Sequence, residues 1–198
     1  MVGVRAKDHD DKRQIILDQA ATLFARQGFH KTSIAQIAKA CKASSKAWIY
    51  HYFPNKEAVL TTLITDFLEL VIARVSEAVG AVEAPQKKLQ AFVLECMRIY
   101  DEYRINYPML FAEMSLLPAE EQKPIRALER QWVMLLRGII LELNPGISNR
   151  RHHAMVLTLI ASGSVNWTYT WFDPKGPMSQ EEVAEMTTRM LLKGLAAV

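Results

Sequence analysis

At 198 residues, half of them hydrophobic and 23% charged, the chain is long enough to bury a core without disulfides or metal, as one domain or two small ones. No apolar run approaches the ~18 residues of a membrane span, and the N-terminal MVGVRAKDHDDKRQ lacks a signal peptide's apolar stretch, so a cytoplasmic protein with no membrane partner is expected. The net charge of +3 is uneven: residues 1–60 carry ten Lys and Arg against five Asp and Glu, the remainder fourteen against sixteen, which favours an anionic partner at the N-terminal end or simply a solvated face.

Ile16, Ala20, Leu23 and Phe24 recur with the spacing of one helical face, and Gly28 follows Gln27 as a stop, so a first helix is expected from about Asp10 to Gln27. Ser33 with Gln36 forms a capping-box pair ahead of Ile34, Ile37 and Ala38, which opens a short second helix. Ser44 and Ser45 are both cap candidates for a third, carrying Lys46, Trp48, Ile49 and Tyr50 and ended by Pro54. Asn55 then caps a rod of about 25 residues, roughly 37 Å long, whose face is Leu60, Leu63, Ile64, Phe67, Val71, Val75 and Val79. Past the break from Gly80 to Pro85, helices are expected at about 86–104, 108–116, 119–143, 149–172 and 179–196, the last with its own capping box, Ser179 and Glu182. No segment alternates with period two, so the chain reads as all-α with about nine helices.

Two short helices on a tight connection fit a helix-turn-helix, whose second helix lies in the major groove of DNA. On it, Ser45, Lys46 and Trp48 are candidates for base edges: a lysine donates to guanine O6 and N7, a serine pairs with donor or acceptor, and an aromatic ring touches a thymine methyl. Thr32, Ser33, Ser44, Tyr50, His51, Tyr52 and Lys56 offer donors suited to phosphate oxygens, which set position rather than sequence. The same residues also suit a small lobe's core and its helix caps, so spacing alone leaves both readings open.

The ordered set Arg13, Ile16, Leu17, Ala20, Leu23, Phe24, Gly28, Phe29, Thr32, Ser33, Ile34, Ile37 and Ala38, followed by SKAWIYHYFPNKE from Ser45 to Glu57, resembles the tetracycline-repressor (TetR) family over about 45 residues. The connection Cys41-Lys42-Ala43-Ser44 is one residue longer than is common there and lacks a glycine, and Ala47-Trp48 replace a small glycine-threonine pair. The resemblance implies residues 1–54 as a helix-turn-helix DNA-binding domain and residues 55–198 as a helical ligand-binding and dimerisation domain. It further implies a homodimer on near-palindromic double-stranded operator DNA, usually a repressor, released by a small-molecule effector.

In the C-terminal part, Met155, Leu159, Ala161, Ser162 and Gly163, with Val183, Met186, Met190, Gly194 and Leu195, give an apolar face for either a two-fold interface or an internal contact. Trp167 and Trp171, four apart near Asn166 and Tyr169, with Tyr100, Tyr103, Tyr107, Phe111 and Met114, are either cavity lining or core. The order Asn166, Trp167, Trp171, Phe172, Asp173, Pro174, Gly176, Pro177 resembles a subgroup responding to acyl-coenzyme A thioesters, whose phosphates Arg98, Arg104 or Arg137 would meet.

Catalytic signatures are missing: there is no Walker A pattern, Rossmann glycine set, GxSxG or HExxH, and the paired glutamates at 120–121 and 181–182 stand where first-turn helix charges belong. No metal site is expected, since Cys41 and Cys96 lack ligand spacing and His152-His153 read as surface residues at a helix start. No cofactor is expected either. The remaining alternative is a helical ligand-binding module that does not touch DNA, and the outward residues of the third helix discriminate it.

Overall fold

The computed structural model describes residues 2–103 and 112–198. Among them stand nine α-helices of four residues or more and no strand: α1 Val2–Gln27, α2 Ile34–Ala40, α3 Lys46–Tyr50, α4 Lys56–Gly80, α5 Pro85–Glu102, α6 Ala119–Leu143, α7 Arg151–Asn166, α8 Thr168–Trp171 and α9 Gln180–Ala196, with a 3-10 turn at Pro145–Ile147. The expected helix at 108–116, Tyr107, Phe111 and Arg104 lie wholly or partly outside the described residues.

The boundaries depart from the periodicity in two informative places. α1 begins well before Asp10, at Val2, and Asp8 pairs with Lys12 one turn on, at 2.6 Å, within the extension. The expected helix 149–172 is two helices: α7 ends at Asn166, Trp167 is the hinge, and the Thr168 hydroxyl donates back to the Val165 carbonyl at 2.7 Å, an alternative to the helical ladder that threonine offers.

The chain forms two compact units, and the division falls inside α4 and α6 rather than between residues 54 and 55. The first comprises α1–α3, α4 to Phe67 and the start of α6; the second takes the rest of α4, α5, the rest of α6 and α7–α9. In the first unit Ile16, Leu17, Ala20 and Phe24 of α1 are buried, as are Phe29, Ile37, Ile49, Phe53, Leu60 and Ile64, and Phe24 meets Phe29 with ring centroids 5.2 Å apart. Fully burying such a side chain is worth about 1.5–3 kcal/mol, which is what lets two helices of seven and five residues persist.

In the second unit the amphipathic α5 buries Leu89, Phe92, Val93, Cys96, Met97 and Ile99, and packs on α9, which contributes Val183, Ala184, Leu191 and Leu195. Phe92 meets Trp132 of α6 with ring centroids 5.4 Å apart. Arg74 Nε donates to Glu95 at 2.8 Å and its Nη1 to Glu102, fastening the second half of α4 to α5.

Candidate nucleic-acid interface

The reading element is assembled from its caps inward. α1 stops because Gly28 adopts φ +83, a left-handed conformation natural to glycine, and returns its N–H to the Phe24 carbonyl at 2.9 Å. Ser33 then opens α2 through a complete capping box: its hydroxyl accepts from the Gln36 N–H at 3.3 Å, and its own N–H donates to Gln36 Oε1 at 2.8 Å. In the turn that follows, Lys42 sits at φ 54, so a lysine occupies the left-handed position where a glycine would carry no strain. Ser45 takes the N-cap position of α3 in extended conformation, without a side-chain capping bond.

α3 is anchored by one residue. Ile49 is fully buried, and the helical period therefore turns Lys46, Ala47 and Tyr50 outward, with His51 exposed just beyond. Trp48 is half-buried, its ring 5.2 Å from that of Tyr52. Tyr52 also meets His51 at 5.2 Å and, from the extended start of α1, His9 at 4.8 Å. Ser44 and Ser45 are exposed beside this cluster. The hydrogen bond from Lys12 to Asp8 raises that lysine's pKa above its ordinary value, while burial raises that of the Cys41 thiol at the end of α2.

Two of the proposed phosphate donors are otherwise engaged. Thr32 is buried, its hydroxyl donating to the Gly28 carbonyl at 2.9 Å and accepting from Gln27 Nε2 at 3.0 Å. Lys56 donates to the carbonyls of Phe29 at 2.7 Å and Thr32 at 2.9 Å, with its ammonium 4.1 Å from the centre of the Phe29 ring. Both residues brace the α1–α2 turn against the foot of α4. Asn55 caps α4, its Oδ1 accepting from the Ala58 N–H at 2.7 Å.

The C-terminal unit sorts its candidates into separate environments. Asn166 accepts a hydrogen bond from the Tyr100 hydroxyl, and Tyr100 meets Tyr169 edge-on at 6.4 Å. Trp132, which the sequence reading did not single out, is 6% exposed and lies beside the buried Cys96 thiol. Arg98 pairs with Glu181 at 3.2 Å, Arg137 and Tyr103 are half-buried, and Met114 belongs to the first unit. Trp167 and Trp171 point outward, 65% and 55% exposed, so they do not join Asn166 and Tyr100 in the interior.

The two tryptophans instead continue a row of exposed apolar residues on α7, Val156, Leu159 and Ile160, with Gly163 exposed between. α9 exposes Met186, Met190 and Gly194. Ala161, Ser162, Val183 and Leu195, expected on the same face, are buried within the unit, and Met155 is half-buried. His152 and His153 are exposed on the rim of a groove of about 470 Å³ lined by Ile147, Val156 and Leu157, and no cluster of three or more potential metal ligands occurs among the described residues.

Residues 16–63 match the family model described as bacterial regulatory proteins, tetR family, and residues 82–195 match the tetracyclin repressor-like C-terminal domain. The chain belongs to the TetR family. A TetR-family transcriptional regulator from Bordetella parapertussis 12822 is 33% identical, with 94% of this chain and 96% of that one covered and a TM-score of 0.80. AibR, solved in complex with isovaleryl coenzyme A and operator DNA, is 25% identical over 91% of this chain and 98% of its own, with a TM-score of 0.75. The repressor KstR2 of Mycolicibacterium smegmatis is 25% identical over 191 residues, 93% of this chain and 90% of that one. As a TetR-family member the chain is a DNA-binding transcriptional regulator, and its α2–α3 pair is the family's helix-turn-helix. No described helix is long and apolar enough to cross a membrane.

Proposed function

We propose that this TetR-family chain is a homodimeric, cytoplasmic repressor without enzymatic activity, whose α3 reads operator DNA and which is released by an acyl-coenzyme A thioester. The observation that carries the reading is the geometry of α3: one buried isoleucine, Ile49, and an outward face of Lys46 and Tyr50 continued by His51. Lys46 donates to guanine in the major groove, and Trp48 supports it against the floor of the groove. Ser33, Ser44, Ser45, Tyr50, His51 and Tyr52 approach phosphates, whereas Thr32 and Lys56 hold the turn behind them.

Two copies associate through the exposed rows of α7 and α9, since an apolar face of this kind on a soluble chain is a protein contact surface. The effector class rests on the likeness to AibR, and the buried Trp132 and Tyr100 with the half-buried Asn166 and Tyr169 are the groups that would meet an acyl chain and its carbonyl. A ligand releases DNA only by binding one arrangement of the two heads more tightly than the other.

The test is fluorescence anisotropy on labelled duplex DNA over a range of salt concentrations, with thermal shift against a panel of acyl-coenzyme A thioesters. The reading expects steep salt dependence and a rise in melting temperature with at least one thioester. Salt-independent or absent DNA binding sinks the regulator reading, and a flat panel sinks the effector class.

A further inference from the structure

The reading head is gripped from two sides at one residue. The bond from the Gly28 N–H to the Phe24 carbonyl is the single bond of an αL helix end, and it leaves the following N–H, that of Phe29, without a partner in its own helix. Glu113, 84 positions further along the chain, supplies the partner: its Oε1 accepts from the Phe29 N–H at 3.2 Å. The Phe29 carbonyl accepts from Lys56 at 2.7 Å, and the ring, 2% exposed, lies under the same ammonium. Four residues after Phe29 comes the capping serine of α2, and two carbonyls of this short turn, at Gly28 and Thr32, are already engaged by Thr32 and Lys56. The turn has no slack. A shift of Phe29 is passed to Ser33, to α2 and to α3, which packs on α2.

On the other side, Glu113 is bound into a stiff lead toward α6. The Leu116 N–H donates to the Glu113 carbonyl at 3.0 Å, the Leu117 N–H to the Met114 carbonyl at 3.1 Å, and Gln122 Nε2 to the Leu117 carbonyl at 2.7 Å, with Leu117 buried. Residues 113–122 are therefore tied together, and α6 continues into the second unit past Pro124, whose missing N–H removes one ladder bond near the division. We propose that Glu113 is a positioning residue: its carboxylate on the Phe29 N–H is the contact through which the start of α6 sets the orientation of the α2–α3 head, in keeping with the DNA-binding reading on which this rests. The bond is charge-assisted and made by a half-buried side chain, so keeping or losing it gives two states of the head an energy difference that binding elsewhere can bias.

Hydrogen exchange with mass spectrometry on the full-length protein tests this, comparing the parent with Glu113→Ala and Glu113→Gln, each free and with a 30-base-pair duplex of random sequence at low salt. In the free protein, Glu113→Ala speeds exchange in peptides covering residues 28–40 about tenfold, while Glu113→Gln, which keeps a neutral acceptor, falls between it and the parent. Coupling is reciprocal, so DNA on the parent head also slows exchange in residues 112–125, and Glu113→Ala loses that distant protection while keeping protection at 28–50. Equal exchange at 28–40 in parent and Glu113→Ala overturns the inference, as does equal DNA-induced protection of 112–125. No protection at 28–50 in the parent overturns the DNA-binding reading and this inference with it.

Discussion

Replacing Lys56 by methionine keeps the aliphatic stem and deletes the ammonium. That ammonium donates to two backbone carbonyls, at 2.7 and 2.9 Å, and lies 4.1 Å from the Phe29 ring centre. A fully buried bond to a charged group is worth about 1.5–3 kcal/mol; Lys56 is half-buried, so about 1 kcal/mol for each bond is the appropriate scale. The ring contact adds about 0.5–1 kcal/mol, and removing a cation from the first turn of α4 returns about 0.3–0.5 kcal/mol through the helix dipole. The net loss is about 2 kcal/mol, or a fall in Tm of about 4–8 °C for a chain of this size. Differential scanning calorimetry at fixed protein concentration measures it, beside a salt titration of DNA binding. A brace lowers Tm and leaves the salt slope alone. A Tm unchanged within a degree, together with a slope reduced by about one, would show Lys56 to be a phosphate contact and the bracing argument wrong.

Lys42→Gly relieves a left-handed lysine worth about 1–2 kcal/mol but loosens the unfolded chain by about 0.5–1 kcal/mol, so the midpoint should rise by a few degrees in the same calorimeter. A lower midpoint would mean that the lysine side chain itself stabilises the turn. Burial pushes the Cys96 thiol up to about 12, whereas an unfolded thiol ionises near about 8.5. Between those values the folded chain keeps a proton that the unfolded chain sheds, so this contribution to stability is intact below about pH 8.5 and falls by about 1.4 kcal/mol per unit above it. Urea denaturation at pH 8, 9 and 10 should show a shallower alkaline decline for Cys96→Ala than for the parent; parallel curves would refute the shift. Leu159→Asp and Met190→Asp, both on exposed sites, should leave the monomer fold intact by circular dichroism and convert dimer to monomer in analytical ultracentrifugation. Dimers that survive both substitutions would place the interface elsewhere.

The helical class and the caps were legible because they are written in local chemistry. Ser33 with Gln36, Ser179 with Glu182 and Asn55 each make the capping bonds that their spacing implies. α3 was legible as a short helix, whereas the outward position of Tyr50, left open between core and contact by spacing, is set by the burial of Ile49. What sequence spacing missed depends on partners distant along the chain. Lys56 looked like a phosphate donor, but its acceptors are carbonyls 24 and 27 residues earlier, and nothing in a helical pattern marks a carbonyl as short of a donor. Glu113 stands alone as an acid in an apolar stretch between Ala112 and Met114, and nothing in that stretch names its acceptor role until Phe29 is brought to it. Trp167 and Trp171 share a helical spacing with Asn166 nearby, yet the helix breaks at Trp167 and they continue the outer apolar row instead. Trp132 was overlooked because its environment is set by α5 packing over it, a tertiary matter.

The central claim is that the outward face of α3 reads base sequence. Selection of bound duplexes from a random pool, with the parent and Lys46→Ala in parallel, tests it most directly. The account predicts that the parent enriches a two-fold symmetric sequence with guanine in each half-site, and that Lys46→Ala loses preference at that guanine while still binding DNA in a salt-dependent way. An identical enriched sequence from both proteins, or no enrichment from the parent, would contradict it.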